Sequence, residues 1–323
     1  MSSSVPYPKL PTHRLGKSEL EVSVVGLGCN NFGDRLDVEG TTAVVEAALD
    51  AGITFFDTAD VYGDAGASET MMGEALAGRR QEFMVATKFG MEMESAVGKP
   101  GTPRGSREYI RWSIEGSLRR LQVDRIDLYQ YHEHDQRTPI SETLAALEEL
   151  VREGVVTAIG CSNFSAGVLE EADRGARERG GIRFTTVQNE YSLLERGIEA
   201  EVTPVCARLG VSILPYLPLK SGLLSGKYSW GEEAPLGARL AGGSAGTDEH
   251  FDVVEALRAF AKARGVEMID VAIAGLAAQP AVGSVIAGTM NPAQVRANAG
   301  ALSWEPSEED LAELDRIAPT LRA

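Results

Sequence analysis

Four residues of this 323-residue chain have the types and the order along the sequence to manage a proton beside a reacting oxygen: Asp57, Tyr62, Lys88 and His132. Hydride delivery to a carbonyl carbon leaves a developing alkoxide, which needs a proton and hydrogen-bond donors. Tyr62 is the acid of such a set. A free phenol titrates near pH ~10, so a neighbouring Lys88 is expected to favour the phenolate and bring the group toward working pH. Asp57 would keep Lys88 charged and in place, and His132 would donate to the substrate oxygen and orient it.

The elements that must position these groups are short apolar runs alternating with segments of helical periodicity. Strands are predicted at 24–28, 53–57, 83–88, 126–132, 155–160, 185–189, 211–216 and 283–287. Between them, 109–121 places Ile110, Ile114, Leu118 and Leu121 on one stripe, and 141–152 repeats the pattern with Leu144, Leu147 and Val151. Strands joined by crossover helices pair in parallel, and eight such units close into a (β/α)8 TIM barrel. The remainder reads as an N-terminal β-hairpin at 13–24 and an extra C-terminal helix at 307–317 with Ser307 as its cap. The whole chain, 1–323, is thus expected to be one barrel domain. Asp57, Lys88 and His132 each end a predicted strand and Tyr62 follows the second, so all four are expected on the C-terminal rim, where barrel enzymes keep their chemistry. The Gly- and Ser-rich stretch 218–248 is expected over that rim.

Composition narrows the function further. The chain is 43% hydrophobic and 24% charged, with 31 Lys and Arg against 47 Asp and Glu and a net charge of −16. Such a charge repels polyanions at long range, which argues against nucleic acid and anionic membrane as partners. Three scattered cysteines, Cys29, Cys161 and Cys206, suit neither a disulfide framework nor a metal site. Pro6 and Pro8 interrupt the start where a signal peptide needs an apolar run, and no segment has the length to span a bilayer. A cytoplasmic location is expected. Two tempting motifs fail: Gly26-Leu27-Gly28 lacks the third glycine of a dinucleotide fingerprint, with Asn31 in its place, and 222–227 lacks the Ser or Thr of a P-loop. His132-Glu133-His134-Asp135 has too few further ligands for a metal centre, so no metal is expected.

Asp57-Thr58-Ala59-Asp60-Val61-Tyr62-Gly63, Thr87-Lys88 and Tyr129-Gln130-Tyr131-His132 together resemble the motifs of the aldo-keto reductases, in the same order along the chain. The resemblance covers nearly the whole sequence. It implies a cytoplasmic oxidoreductase moving hydride between a nicotinamide cofactor and an aldehyde or ketone, or a sugar or alcohol in reverse. Gly160-Cys161-Ser162-Asn163-Phe164 and Val187-Gln188-Asn189-Glu190-Tyr191 are similar to the family's carboxamide-binding motifs, which implies nicotinamide contacts from Ser162, Asn163 and Gln188. By the same resemblance Tyr216 stacks on the nicotinamide ring, followed by Leu217, Pro218 and Leu219, and Gly222, Leu224, Gly226 and Lys227 line the pyrophosphate. Gly288, Thr289, Gln294 and Asn298 match positions at the adenine end. One departure is clear: the stretch 288–294 has no Lys or Arg where relatives hold the 2′-phosphate. NADP(H) stays the first expectation and NAD(H) the second. Phe32, Tyr62, His132 and Trp230 are the expected substrate contacts, and the substrate is expected to be a small carbonyl or alcohol. The competing reading is a nicotinamide-binding partner module like the potassium-channel beta subunits, with little turnover.

Overall fold

The computed structural model describes residues 9–93, 99–228 and 248–320. A two-stranded antiparallel hairpin, β1 (Thr12–Arg14) and β2 (Glu21–Ser23), precedes eight parallel strands. These are β3 (Val25–Gly28), β4 (Phe55–Asp57), β5 (Met84–Phe89), β6 (Ile126–Tyr131), β7 (Val156–Ser162), β8 (Thr186–Glu190), β9 (Ser212–Tyr216) and β10 (Val285–Gly288). They pair in sequence order, with β10 returning to β3. The remaining seam, between β9 and the approach to β10, is joined by Ile213 N–H to Ala281 O at 2.7 Å and by Gly283 N–H to Ile213 O at 2.8 Å. The eight predicted strands are therefore the eight of a (β/α)8 barrel, and their boundaries shift by no more than about two residues.

Helices follow the strands: α1 (Val38–Asp50), α2 (Tyr62–Ala75), α3 (Arg107–Leu121), α4 (Ile140–Arg152), α5 (Ala166–Arg179), α6 (Val202–Leu209), α7 (Asp248–Arg264), α8 (Met268–Ala277), α9 (Pro292–Gly300) and α10 (Glu308–Ile317). Their starts are chemical as well as periodic. The Ser106, Ser165 and Ser307 hydroxyls accept from the backbone N–H groups of Tyr109, Val168 and Asp310, and so satisfy orphan donors at three helix N-termini. Ile110, Ile114 and Leu121 of α3 and Leu144 and Leu147 of α4 are buried against the barrel wall, as their spacing predicts.

The barrel interior is filled from below. Leu15, Leu20 and Val22 of the hairpin pack against Phe55, Ala86, Leu128, Ala158, Leu214 and Ile286, one residue from each of six strands. Gly16 N–H donates to Ser212 Oγ at 2.8 Å, and Ser212 is the first residue of β9, so the hairpin plugs the N-terminal end. With that end closed, the opposite rim is left to hold a ligand.

Candidate active site

Lys88 leaves β5 with its ammonium fully buried and donates in three directions. Asp57 Oδ2 accepts at 2.6 Å, the Thr58 carbonyl at 2.9 Å and the Tyr62 hydroxyl at 3.4 Å. An ammonium has three protons, so this charge is completely satisfied. Asp57, 3% exposed, is equally committed: its Oδ1 accepts Gln130 Nε2 at 3.0 Å and Gln188 Nε2 at 2.9 Å. Burial disfavours the Lys88 charge, but Asp57 and Tyr62, through their charges and hydrogen bonds together, more than offset it and hold the ammonium above its usual range.

Tyr62 differs from its sequence reading in two ways. It opens α2 rather than sitting in a free loop, although residues 63–66 all have positive φ and regular helix begins only beyond them. Gly63 explains the glycine of the motif. Its φ is +63° and a Cβ there would lie 2.3 Å from the Phe32 carbonyl oxygen, so only glycine fits behind the tyrosine. The second difference is electrostatic. Burial pushes the Tyr62 phenol up and outweighs the attraction of Lys88, so the group rests protonated instead of shifting toward neutral pH.

His132 lies just beyond β6, 6% exposed, with its ring 5.7 Å from that of Tyr62 at 85°. Burial, helped by the Lys88 charge, pulls its imidazole down to about 3, so it is neutral at physiological pH. Its Nδ1 has no hydrogen-bond partner among the described residues. The chain around it is pinned by His132 N–H to the Phe89 carbonyl at 2.8 Å and by Asn163 Nδ2 to the His132 carbonyl at 3.2 Å.

Residues at the ends of β7, β8 and β9 adjoin this cluster. Ser162 Oγ donates to the Gln188 carbonyl at 2.8 Å, and the half-buried Tyr216 donates from its hydroxyl to Asn163 Oδ1 at 2.9 Å. The other expected cofactor contacts follow the two strands that close the barrel. Leu217, at φ +52°, Pro218 and Leu219 lead from β9 into a 3-10 turn (Lys220–Ser225) in which Leu224 is buried. Gly222 and Gly226 have φ of +97° and +81°, and the exposed Lys227 follows. At the end of β10, Gly288 is exposed and Thr289 buried, the latter with a hydroxyl lacking any partner among the described residues. Asn31 Nδ2 holds the Thr289 carbonyl at 2.9 Å, Gln294 Oε1 accepts the Met290 N–H at 2.7 Å, and Asn298 is buried on α9. Phe32 is fully buried beneath the rim, and Trp230 lies outside the described residues.

The profile of the Aldo/keto reductase family matches residues 24–319. The chain belongs to that family. Among its relatives, an oxidoreductase of Bacillus subtilis (strain 168) named "Uncharacterized oxidoreductase YrpG" is 37% identical over 312 residues, covering 94% of this chain and 95% of the relative. "Probable aldo-keto reductase 1" of Glycine max is 36% identical over 317 residues, covering 95% of this chain and 88% of its own. This aldo/keto reductase is accordingly an oxidoreductase acting on a small molecule. Among the described residues, no helix is long and apolar enough to cross a membrane.

Sequence reasoning assigned no place to three buried polar residues that adjoin Asp57 and Lys88 in this aldo/keto reductase. Gln130 was quoted only as part of a motif, yet side chains alternate along a strand, and that alternation alone puts Gln130 on the same face as His132 and Leu128. Asp60 and Glu69 are buried carboxylates behind Lys88, and only the second could have been suspected, from Arg120 one helix away.

Proposed function

We propose that this chain interconverts an aldehyde or ketone with its alcohol, with NADP(H) as the first-choice cofactor and Tyr62 as the group that exchanges the proton. The observation that carries the reading is the direction of the hydrogen bonds around Lys88. The ammonium donates to the Tyr62 oxygen at 3.4 Å, so the phenol's own proton must point elsewhere, free for a substrate oxygen. In the reverse direction the same ammonium would stabilise the phenolate that accepts the alcohol proton.

The cofactor, when bound, supplies or takes the hydride. This chain's part is to hold it and to manage the oxygen. Ser162, Asn163 and Gln188 would take the carboxamide, Tyr216 would face the nicotinamide ring, and the glycine turn with Gly222, Gly226 and Lys227 would follow the pyrophosphate. The buried Thr289 hydroxyl, without a hydrogen-bond partner among the described residues and beside the exposed Gly288, suits a phosphate or ribose at the far end. Neutral His132, T-shaped against Tyr62, would donate to the substrate oxygen and so orient the carbonyl toward the tyrosine. Trp230 would wall the substrate, while Phe32, fully buried, would support the wall from beneath.

The test is oxidation of NADPH and of NADH, followed by absorbance, with a panel of aldehydes, ketones and sugars. Turnover that Tyr62→Phe reduces at least about a thousandfold, with cofactor affinity kept, supports the reading. Cofactor binding without turnover on any of the panel overturns it in favour of a nicotinamide-binding partner module.

A further inference from the structure

Two carboxylates lie buried behind the strand that carries Lys88, and they are treated very differently. Glu69, fully buried on α2, accepts from Thr87 Oγ1 and forms an ion pair with Arg120 of α3 at 2.7 Å. Room for that guanidinium is made by two glycines: a Cβ at Gly66 would lie 2.4 Å from Arg120 Nε, and one at Gly116 2.8 Å from its NH1. Asp60, 2% exposed, forms no ion pair among the described residues. One of its oxygens accepts from Ser113 Oγ at 2.8 Å, and Oδ1 has no hydrogen-bond partner among the described residues. Its backbone ties it to both members of the proton-handling pair, since it stands two residues before Tyr62 and its N–H donates to the Lys88 carbonyl at 3.1 Å.

Asp60 also borders a cavity of about 200 Å³ between the start of α2 and α3, walled by Ala65, Met93 and Trp112 and fringed by the exposed Glu115 and Arg119. A space of that size has room for water beside the carboxyl.

We propose that Asp60 is a positioning residue that acts on Lys88 from behind the barrel wall, through the backbone bond to the Lys88 carbonyl and the attraction between carboxylate and ammonium, and through Lys88 sets how readily Tyr62 gives up its proton. The inference rests on the proposed reading of Tyr62 as the acid. The charged and titratable groups facing Asp60 are Glu69 on α2, Lys88 on β5, Tyr129 on β6, and Tyr109 and Arg120 on α3. Glu69 opposes its ionisation and Arg120 and Lys88 favour it, but Arg120 is already spent on Glu69. Burial first, then Glu69, lifts the Asp60 carboxyl to about 7, which puts its charge change inside the working range of an enzyme. A neutral Asp60 withdraws negative potential from Lys88, whose charge then acts on the Tyr62 phenol with less opposition, and the phenol gives up its proton at lower pH.

The experiment is the pH profile of kcat for carbonyl reduction, carried from acid pH to well above the ordinary titration range of a phenol, in the wild type, Asp60→Asn and Ser113→Ala. Loss of the Tyr62 proton ends reduction at high pH, so Asp60→Asn should move that basic limb down by about half a pH unit or more and erase any step near neutrality. Ser113→Ala removes a donor that favours the anion, so it should move the neutral step to higher pH. Melting temperatures of both variants establish that they are folded. Superimposable profiles for folded wild type and Asp60→Asn overturn the inference about Asp60 and leave the proposed reaction standing. A wild type without turnover, or a Tyr62→Phe variant with it, overturns the proposed reaction instead.

Discussion

The Tyr216 hydroxyl donates to Asn163 Oδ1 at 2.9 Å, while Asn163 Nδ2 reaches the His132 carbonyl. A ring expected to face the cofactor thus also fixes the amide expected to bind it. Tyr216→Phe keeps the ring and loses one hydrogen bond, about 0.5–1.5 kcal/mol, so cofactor Kd should rise by only about two- to tenfold. Tyr216→Ala also removes the stacking surface and should weaken binding by clearly more. Fluorescence titration of both variants decides this, and equal effects would show that Tyr216 acts through Asn163 alone.

Removal of the Tyr62 hydroxyl should separate chemistry from binding. Tyr62→Phe deletes the proton donor and one acceptor of Lys88 but keeps the ring against His132. Turnover should fall by at least about a thousandfold with cofactor affinity within a few-fold of normal. Activity within about threefold of wild type would remove Tyr62 from the mechanism.

Lys88→Met should be costly twice over. It takes away the charge beside the phenol, and it leaves the Asp57 carboxylate buried with two amide donors and no cation. Stranding a buried charge costs about 3–5 kcal/mol, visible in urea melts. Adding Asp57→Asn removes the stranded charge, so the double variant should be more stable than Lys88→Met alone while remaining inactive.

Cofactor choice should be weakly discriminated. No Lys or Arg occupies 288–294, and charge-assisted bonds to phosphate contribute about 1.5–3 kcal/mol each. The Kd values of NADPH and NADH should therefore differ by much less than about a hundredfold. Met290→Arg should tighten NADPH selectively, because the Met290 backbone is already fixed by Gln294. A wild-type preference above about a hundredfold would place the phosphate on another cation, such as Arg296 or Lys227.

Asp60 also leaves a mark on stability. Its carboxyl rises from 3.8 to about 7 on burial, so the native state binds this proton more tightly than the unfolded chain. The resulting stability is complete below about pH 4 and is lost as pH rises through 7. Asp60→Asn carries no such titration. Its melting temperature should therefore gain on the wild type between pH 5 and pH 8, and a constant difference would show that Asp60 is not held at a raised pKa.

The barrel was legible because its signal is local: each strand is a short apolar run ended by a polar residue, and Asp57, Lys88 and His132 were placed on the rim by that rule alone. Three things were not local. The resting state of Tyr62 depends on a desolvation that no spacing encodes, and it reversed the expected direction of its pKa. The left-handed run at 63–66 is set by the approach of the Phe32 carbonyl and the Arg120 side chain, which the sequence separates from it by 31 and 54 residues or more. The contrast between Glu69 and Asp60 turns on which of two acids Arg120 reaches across the α2–α3 interface.

The partners of Asp57 have a consequence for how the chain comes together. Lys88, Gln130 and Gln188 lie 31, 73 and 131 residues beyond it in sequence. Each later partner closes a longer loop, and such contacts form late and slowly in folding. The last of them can be made only when the sheet has run from β4 to β8. The acceptors of Lys88 all lie within 57–62 and are in place once β4 pairs with β5, whereas the amide donors that hold the other Asp57 oxygen arrive only as β6 and then β8 join the sheet, so the carboxylate is the last member of the cluster to be fully fixed.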